Sequence, residues 1–412
     1  NANIYNWYPT YQTMDVKASN GNWLINNAKP NTAEAPKLVS SSLTWEKIKS
    51  TNIGLDVAAL NNRLTGSFDY FIRKTEDMMG PGIELPAALG TNVPPTNNTD
   101  MKTYGWELQI GWRDQIGDFK YGAKLSLSDS QSKILRYGNP TGSLSKYVEG
   151  ELIGNIYGYT TIGIAKTDEE MQQHLASLPN GGQSALGSQW AAGDIMYADL
   201  NGDGKINNGS YTINDMGDMK KIGNSTPRFM TGINLDAAYK GWDLQMFWQG
   251  VLKRDWWPGD KNMTFWGVTD GEWWSTSFKE HLDYFRTSEN PLGENLNSYY
   301  PRPIFNTKNN KSQTRYLQNA AYMRLKNIQV GYTFPKVWIN KLMLQNLRIF
   351  VSGENLLTIT SLSDTMDPET CGAGYQSTEQ ANGTVYPLAK TISFGLSAVS
   401  YTHLTLPTSD LV

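Results

Sequence analysis

A two-residue alternation of apolar and polar side chains constrains this sequence more than any other feature. It runs for about ten residues at a time and returns along the whole chain. Thr51, Ile53, Leu55 and Val57 share one face of an extended segment, with Asn52, Gly54 and Asp56 on the other. Asn61-Asn62, two residues that tolerate positive φ, mark a turn. The return strand sets Leu64, Phe68, Tyr70 and Ile72 against Thr65, Ser67, Asp69 and Arg73.

The pattern is strongest over residues 104–127. Tyr104, Trp106, Leu108, Ile110 and Trp112 alternate with Gly105, Glu107, Gln109, Gly111 and Arg113. Past a short turn at Gly117-Asp118, Phe119, Tyr121, Ala123, Leu125 and Leu127 alternate with Lys120, Gly122, Lys124 and Ser126. A third hairpin places Phe229, Ile233, Leu235, Ala237 and Tyr239 before Lys240-Gly241, then Trp242, Leu244, Met246 and Trp248. Residues 328–334, 347–355 and 392–398 fit further strands. About ten strands of about 9–13 residues result, long enough to cross a bilayer at a tilt. Strands of soluble sheets are nearer 5–6 residues. Aromatic residues at the strand ends (Tyr104, Trp112, Phe119, Tyr239, Trp242) occupy the places of interfacial girdles.

Connections alternate in length. Turns at 60–63, 114–118 and 240–241 are short, whereas 76–101, 132–226, 255–320 and 357–386 are long and rich in Gly, Asn, Pro and Ser. Short turns at one end and long loops at the other are the asymmetry of outer-membrane barrels. A soluble β-sandwich is the competing architecture, since its strands also alternate.

Composition narrows the function classes. No run of about 18 apolar residues occurs, which argues against membrane-spanning helices. The net charge of -3 offers no basic face for nucleic acid. Cys371 is the single cysteine, and His174, His281 and His403 are scattered, so neither a disulfide framework nor a thiolate or histidine metal centre is expected. Fourteen Trp and 22 Tyr accompany only 18% charged residues, a balance that suits a membrane interface, a sugar ligand, or a generous aromatic core. Nothing matches a nucleophile elbow, a zinc-protease helix or a phosphate loop, so an enzyme is not expected. Asp56, Asp69 and Glu107 fall on the polar strand faces and read as wall polarity.

Two loop features are candidate sites. Asp199, Asn201 and Asp203, with Gly204, Lys205 at position 7 and Asn207, follow the first nine positions of a calcium loop. Position 12 is Ser210 rather than an acid, so Asp194, Asp215 or Asp218 would have to complete a Ca²⁺ site; otherwise the loop is held by its own Asx turns. Trp256, Trp257, Trp266, Trp273 and Trp274 cluster in a second loop. They either stack on a sugar substrate or pack the loop and the membrane interface.

Several segments resemble the SusC/RagA branch of TonB-dependent outer-membrane transporters. They are LTWEK at 43–47 with the following hairpin, GDIMYADLNGDGKIN at 193–207, IGNSTPRFMTGINLDAAYKGWDLQMFWQG at 222–250, YMRLKNIQVGYTFP at 322–335, LRIFVSGENLLTIT at 347–360 and YPLAKTISFGL at 386–396. Each is modest alone, but together they follow the family order across nearly the whole chain.

The resemblance implies an all-β, antiparallel transmembrane β-barrel, of which residues 1–398 would be the C-terminal portion. The complete plugged barrel would have about 22 strands and long extracellular loops. It implies TonB-energised uptake of a glycan or peptide, contact with outer-membrane lipid, TonB engagement through a plug, and a SusD-like surface lipoprotein as lid. The chain starts at Asn1 without a leader and reads as an internal piece lacking the plug and first strands. Residues 399–412 do not continue the strand pattern and read as a non-native tail. The runner-up function is a soluble, calcium-dependent glycan-binding sandwich.

Overall fold

The computed structural model describes residues 16–17, 24–33, 43–82, 93–272, 275–342, 344–371 and 385–400. Nine strands form one antiparallel sheet: β1 (Lys47–Ala59), β2 (Leu64–Gly80), β3 (Thr96–Ile116), β4 (Phe119–Arg136), β5 (Arg228–Tyr239), β6 (Trp242–Lys253), β7 (Tyr322–Thr333), β8 (Leu344–Thr360) and β9 (Thr391–Ser400). Each pairs with its neighbours in sequence, an unbroken up-and-down meander with β1 and β9 as open edges. The fold is all-β in its framework, as the alternation predicts.

Four of the nine strands, β2, β3, β4 and β8, outrun the expected length. β3 has 21 residues, which at about 3.3 Å per residue spans on the order of 70 Å. An apolar belt is only about 25 Å tall, so β3 continues well beyond it. The tight turns fall where expected. Leu60, Asn61 and Asn62 take φ of 53°, 55° and 63°, and Gly117 takes 59°. Gly241, at φ 92°, lies so near the Thr333 carbonyl that a Cβ would sit 2.7 Å from it. The tight connections share one edge of the meander with residues 334–343, which hold a short helical turn (Lys336–Ile339). Residues 81–95, 137–227, 254–321 and 361–390 connect the strands at the opposite edge.

Register sorts the side chains into two faces, because cross-strand partners point the same way. One row reads Ile116, Phe119, Tyr239, Trp242, Tyr332, Ile349, Leu396. A row nearer the long loops reads Ile110, Leu125, Ile233, Trp248, Leu325, Leu357. The alternate face reads Asp56, Ser67, Gln109, Ser126, Gly232, Gln249, Arg324, Thr358. Asp69 and Glu107 are partners on that same polar face.

The apolar face is open. Ile53 is 68% exposed, Leu55 63% and Phe394 81%, and among the described residues no second sheet covers them. A sandwich would bury those side chains between layers. Along the tight-turn rim, aromatic rings touch in sequence: Phe119 and Tyr239 at 6.5 Å, Trp242 and Tyr332 at 5.0 Å, Tyr332 and Phe334 at 5.1 Å.

β9 extends to Ser400, with Val399 opposite Asn346 and Ser400 opposite Leu344. A register shift between Leu344 and Asn346 separates these last two pairs. Residues 401–412 lie outside the described residues.

Candidate functional site

Residues 137–227 and 254–321 build a body of their own on the long-loop side. Strand Asn155–Tyr159 pairs with Met219–Asn224, and Thr161–Ile164 with Ile195–Tyr197. The longer of its helices, α1 (Asp168–Ala176), follows Thr167, whose side chain caps it by accepting from the Glu170 N–H. Asp168, Glu169 and Glu170 place negative charge at its N-terminal end. Met171 faces inward, fully buried.

An aromatic herringbone centres the body. Trp266 packs on Phe265 and Tyr316 at 4.8 Å each, and Tyr299 on Tyr300 at 4.8 Å. His281 is locked among them: its Nδ1 accepts from the Phe278 N–H, so Nε2 carries the proton given to the Phe265 carbonyl. Burial lowers its pKa and keeps the ring neutral.

Asp194, fully buried, ties distant segments together. It accepts from Arg302 twice at 2.8 Å, Asn309 at 2.9 Å and the Ala191 N–H at 2.9 Å, with Lys308 Nζ also at 2.8 Å. Burial alone would raise its pKa, but these donors hold the carboxyl below its ordinary value. A second clasp joins the β8–β9 connection to the polar sheet face: Arg324 pairs with Asp367 and Glu369, and Lys326 with Glu369.

Between these elements lies a cleft of about 660 Å³. Its walls include Tyr157, Tyr211, Trp256 and Trp257, with Arg254, Asp260 and Lys311 among its polar groups. Sequence reasoning found only the tryptophans. The tyrosines and Arg254 carried no local signal, because segments more than 150 residues apart meet there.

The geometry matches chains already known. No family model matches the chain. It is 29% identical to TonB-dependent receptor P3 of Formosa agariphila, over 94% of this chain and 37% of that protein. With TonB-dependent receptor SusC of Bacteroides thetaiotaomicron it shares 24% identity, over 88% of this chain and 33% of the relative. The structure of the RagAB peptide transporter superposes with a TM-score of 0.64 at 21% identity, covering 95% of this chain and 39% of that one. Across nearly its whole length the chain is similar to TonB-dependent receptors of the SusC/RagA type. It spans about a third of the length of these relatives.

The similarity leaves each site residue to be placed. Trp256 is 3% exposed and Trp266 is fully buried, its indole N–H donating to the Gly259 carbonyl. These two are core of the loop body rather than a sugar platform, since neither ring face is open. Trp257 is half-buried and lines the cleft. Trp273 and Trp274 lie outside the described residues.

The calcium-like loop is closed by its own bonds. Asp199 accepts from the N–H groups of Gly202 and Gly204, Asn201 from Asp203, Asp203 from Lys205, and Asn207 from Gly209. Asp218 stitches across it, accepting from Leu200 and Asn207, while Asp215 holds Ser210 and Asp194 belongs to its own clasp. A calcium ion gathers about six to eight oxygens. Among the described residues no group of three or more His, Cys, Asp or Glu is placed to hold a metal. The hydrogen bonding is that of successive Asx turns. Burial and the neighbouring Asp199 push the Asp218 carboxyl upward.

Proposed function

We propose that this chain is the C-terminal wall and mouth of an outer-membrane β-barrel that imports a nutrient under TonB drive. In this reading residues 1–398 belong to the barrel portion of a longer receptor, and residues 399–412 are an appended tail. The observation that carries it is the single sheet with two unlike faces: rows of exposed apolar side chains on one and continuous polarity on the other. Only a surrounding apolar medium makes such a face stable, and only a closed sheet satisfies every backbone group within lipid. The open edges of β1 and β9 would meet the remaining strands of a barrel of about 22.

A plug would fill the lumen and reach TonB, and a SusD-like lipoprotein would cap the loops. The imported nutrient is an oligosaccharide, with a peptide as the second possibility because a RagAB relative is described as a peptide transporter. The aromatic cleft supports the saccharide, since ring faces stack on sugar C–H faces and flanking amides meet hydroxyls. Transport rather than catalysis follows from the receptors and transporters this chain is similar to. Deleting residues 137–226 and 255–320 in the full-length receptor should abolish both lid co-purification and uptake. Retention of both would refute the assignment of these loops to the mouth.

A further inference from the structure

Three half-buried arginines, Arg254, Arg286 and Arg315, hold no carboxylate among the described residues; Arg286 and Arg315 bond backbone carbonyls away from the cleft, and Arg254 lines it. Arg228, Arg302, Arg324 and Arg348 each hold a carboxylate. Arg254 lines the cleft with no ion pair among the described residues; its Nε donates to the Ser225 carbonyl at 3.2 Å and Nη1 to Cys371 Sγ at 3.6 Å. Among the described residues its Nη2 makes no hydrogen bond. The nearby acids are engaged: Asp260 faces Lys311 Nζ at 3.4 Å, and Asp255 accepts from the Asn224 N–H. Beside it, Trp256 is 3% exposed and its indole Nε1–H has no hydrogen-bond partner. A guanidinium without a counter-charge among the described residues and an orphaned donor, in one aromatic-walled cleft, are the complement of an anion carried on a sugar ring, whose C–H face stacks on the aromatics.

We propose that this cleft is a subsite for the anionic group of an acidic saccharide. Arg254 takes the carboxylate or sulfate while Tyr157, Tyr211 and Trp257 hold the sugar rings. This rests on the saccharide-import reading above. The backbone disfavours a peptide here, because a peptide would add to a free strand edge. Strand Asn155–Tyr159 has both edges occupied: one by Met219–Asn224, the other where Tyr159 exchanges bonds with Ser312 and Thr314 and Tyr157 accepts from Ser312 Oγ.

The test is calorimetric titration of the full-length receptor in detergent. Probes are tetramers of galacturonate, glucuronate and mannuronate, each beside its carboxyl-reduced neutral form, plus a sulfated tetramer of equal length. At least one acidic tetramer should bind about tenfold or more tighter than its neutral form, the margin of one charge-assisted contact. Whether the uronates or the sulfated probe lead names the anion. Arg254→Gln should erase the margin, Arg254→Lys should keep part of it, and Trp257→Ala should weaken acidic and neutral probes alike. Equal binding of acidic and neutral tetramers to the wild type overturns the anion subsite while leaving saccharide import standing. No binding by any tetramer, with binding of peptides instead, overturns both. The wild-type comparison decides even where a variant fails to fold.

Discussion

In the sheet, Leu55, Val351 and Phe394 lie open on one face, while in the loop body Trp266, Tyr316 and Met171 are shut away completely. One chain thus carries two kinds of apolar surface. The loop body buries its own greasy residues in the manner of a water-soluble domain, and it is held by ion pairs such as Asp194 with Lys308. The sheet has nothing among its described neighbours to cover its apolar rows. The difference teaches that the burial partner of the sheet is the medium, whereas the burial partner of the loop body is itself.

The comparison breaks most readily in the loop body. Trp266→Ala removes a fully buried ring and should cost about 3–5 kcal/mol of local stability, and Asp194→Ala, which strands Lys308 and Arg302, should cost a similar amount. Hydrogen exchange should rise across residues 160–225 and 255–310 and stay unchanged in β5 and β6. Exchange rising equally in both regions would mean that they unfold as one unit.

A smaller effect is expected on the sheet. Leu235→Arg places charge on the apolar face and should cost about 2–4 kcal/mol if that face meets a bilayer interior. The neighbouring Asn234→Arg, on the polar face, should cost little. Refolding into lipid vesicles with denaturant titration separates the two.

Removal of the α1 cap by Thr167→Ala should cost about 1 kcal/mol, confined to exchange in residues 168–177. Acidification from pH 7 to 5 is expected to act first on the loop body, which holds His174 and His281. Burial lowers the folded-state pKa of His281 and His174, so stability is fully present above the unfolded value of about 6.5 and declines as pH falls toward the folded values. The lowered Asp194 adds a further loss only below the ordinary carboxylate range. Protease sensitivity of the loops between pH 7 and 5 reads this directly, and loops that grow more resistant would reverse the sign.

The sheet was legible in the sequence because its rule is local. A period of two identifies the strands, and Asn61-Asn62, Gly117 and Lys240-Gly241 identify turns from their own conformational preferences. Strand ends were less legible: the polar extensions of β2 and β3 beyond the belt carry no apolar alternation. The loop body was nearly opaque because its contacts are remote in sequence. Nothing near Asp194 announces Arg302, Lys308 or Asn309. A tryptophan in a Gly- and Asp-rich loop looks the same whether it faces sugar or core, which is why Trp256 and Trp266 stood beside Trp257 as candidates. The calcium-like loop reads two ways for a related reason: Asp and Asn at alternate positions suit Asx turns as well as cation ligands.

Single-residue quenching along the β5–β6 hairpin, in the full-length receptor in vesicles, tests the lipid-facing sheet most directly. Fluorophores at 233, 235, 244 and 246 should be quenched by brominated acyl chains, and those at 234, 236 and 245 by aqueous iodide. Equal access of iodide to both sets, or protection of both from lipid and water, would contradict it.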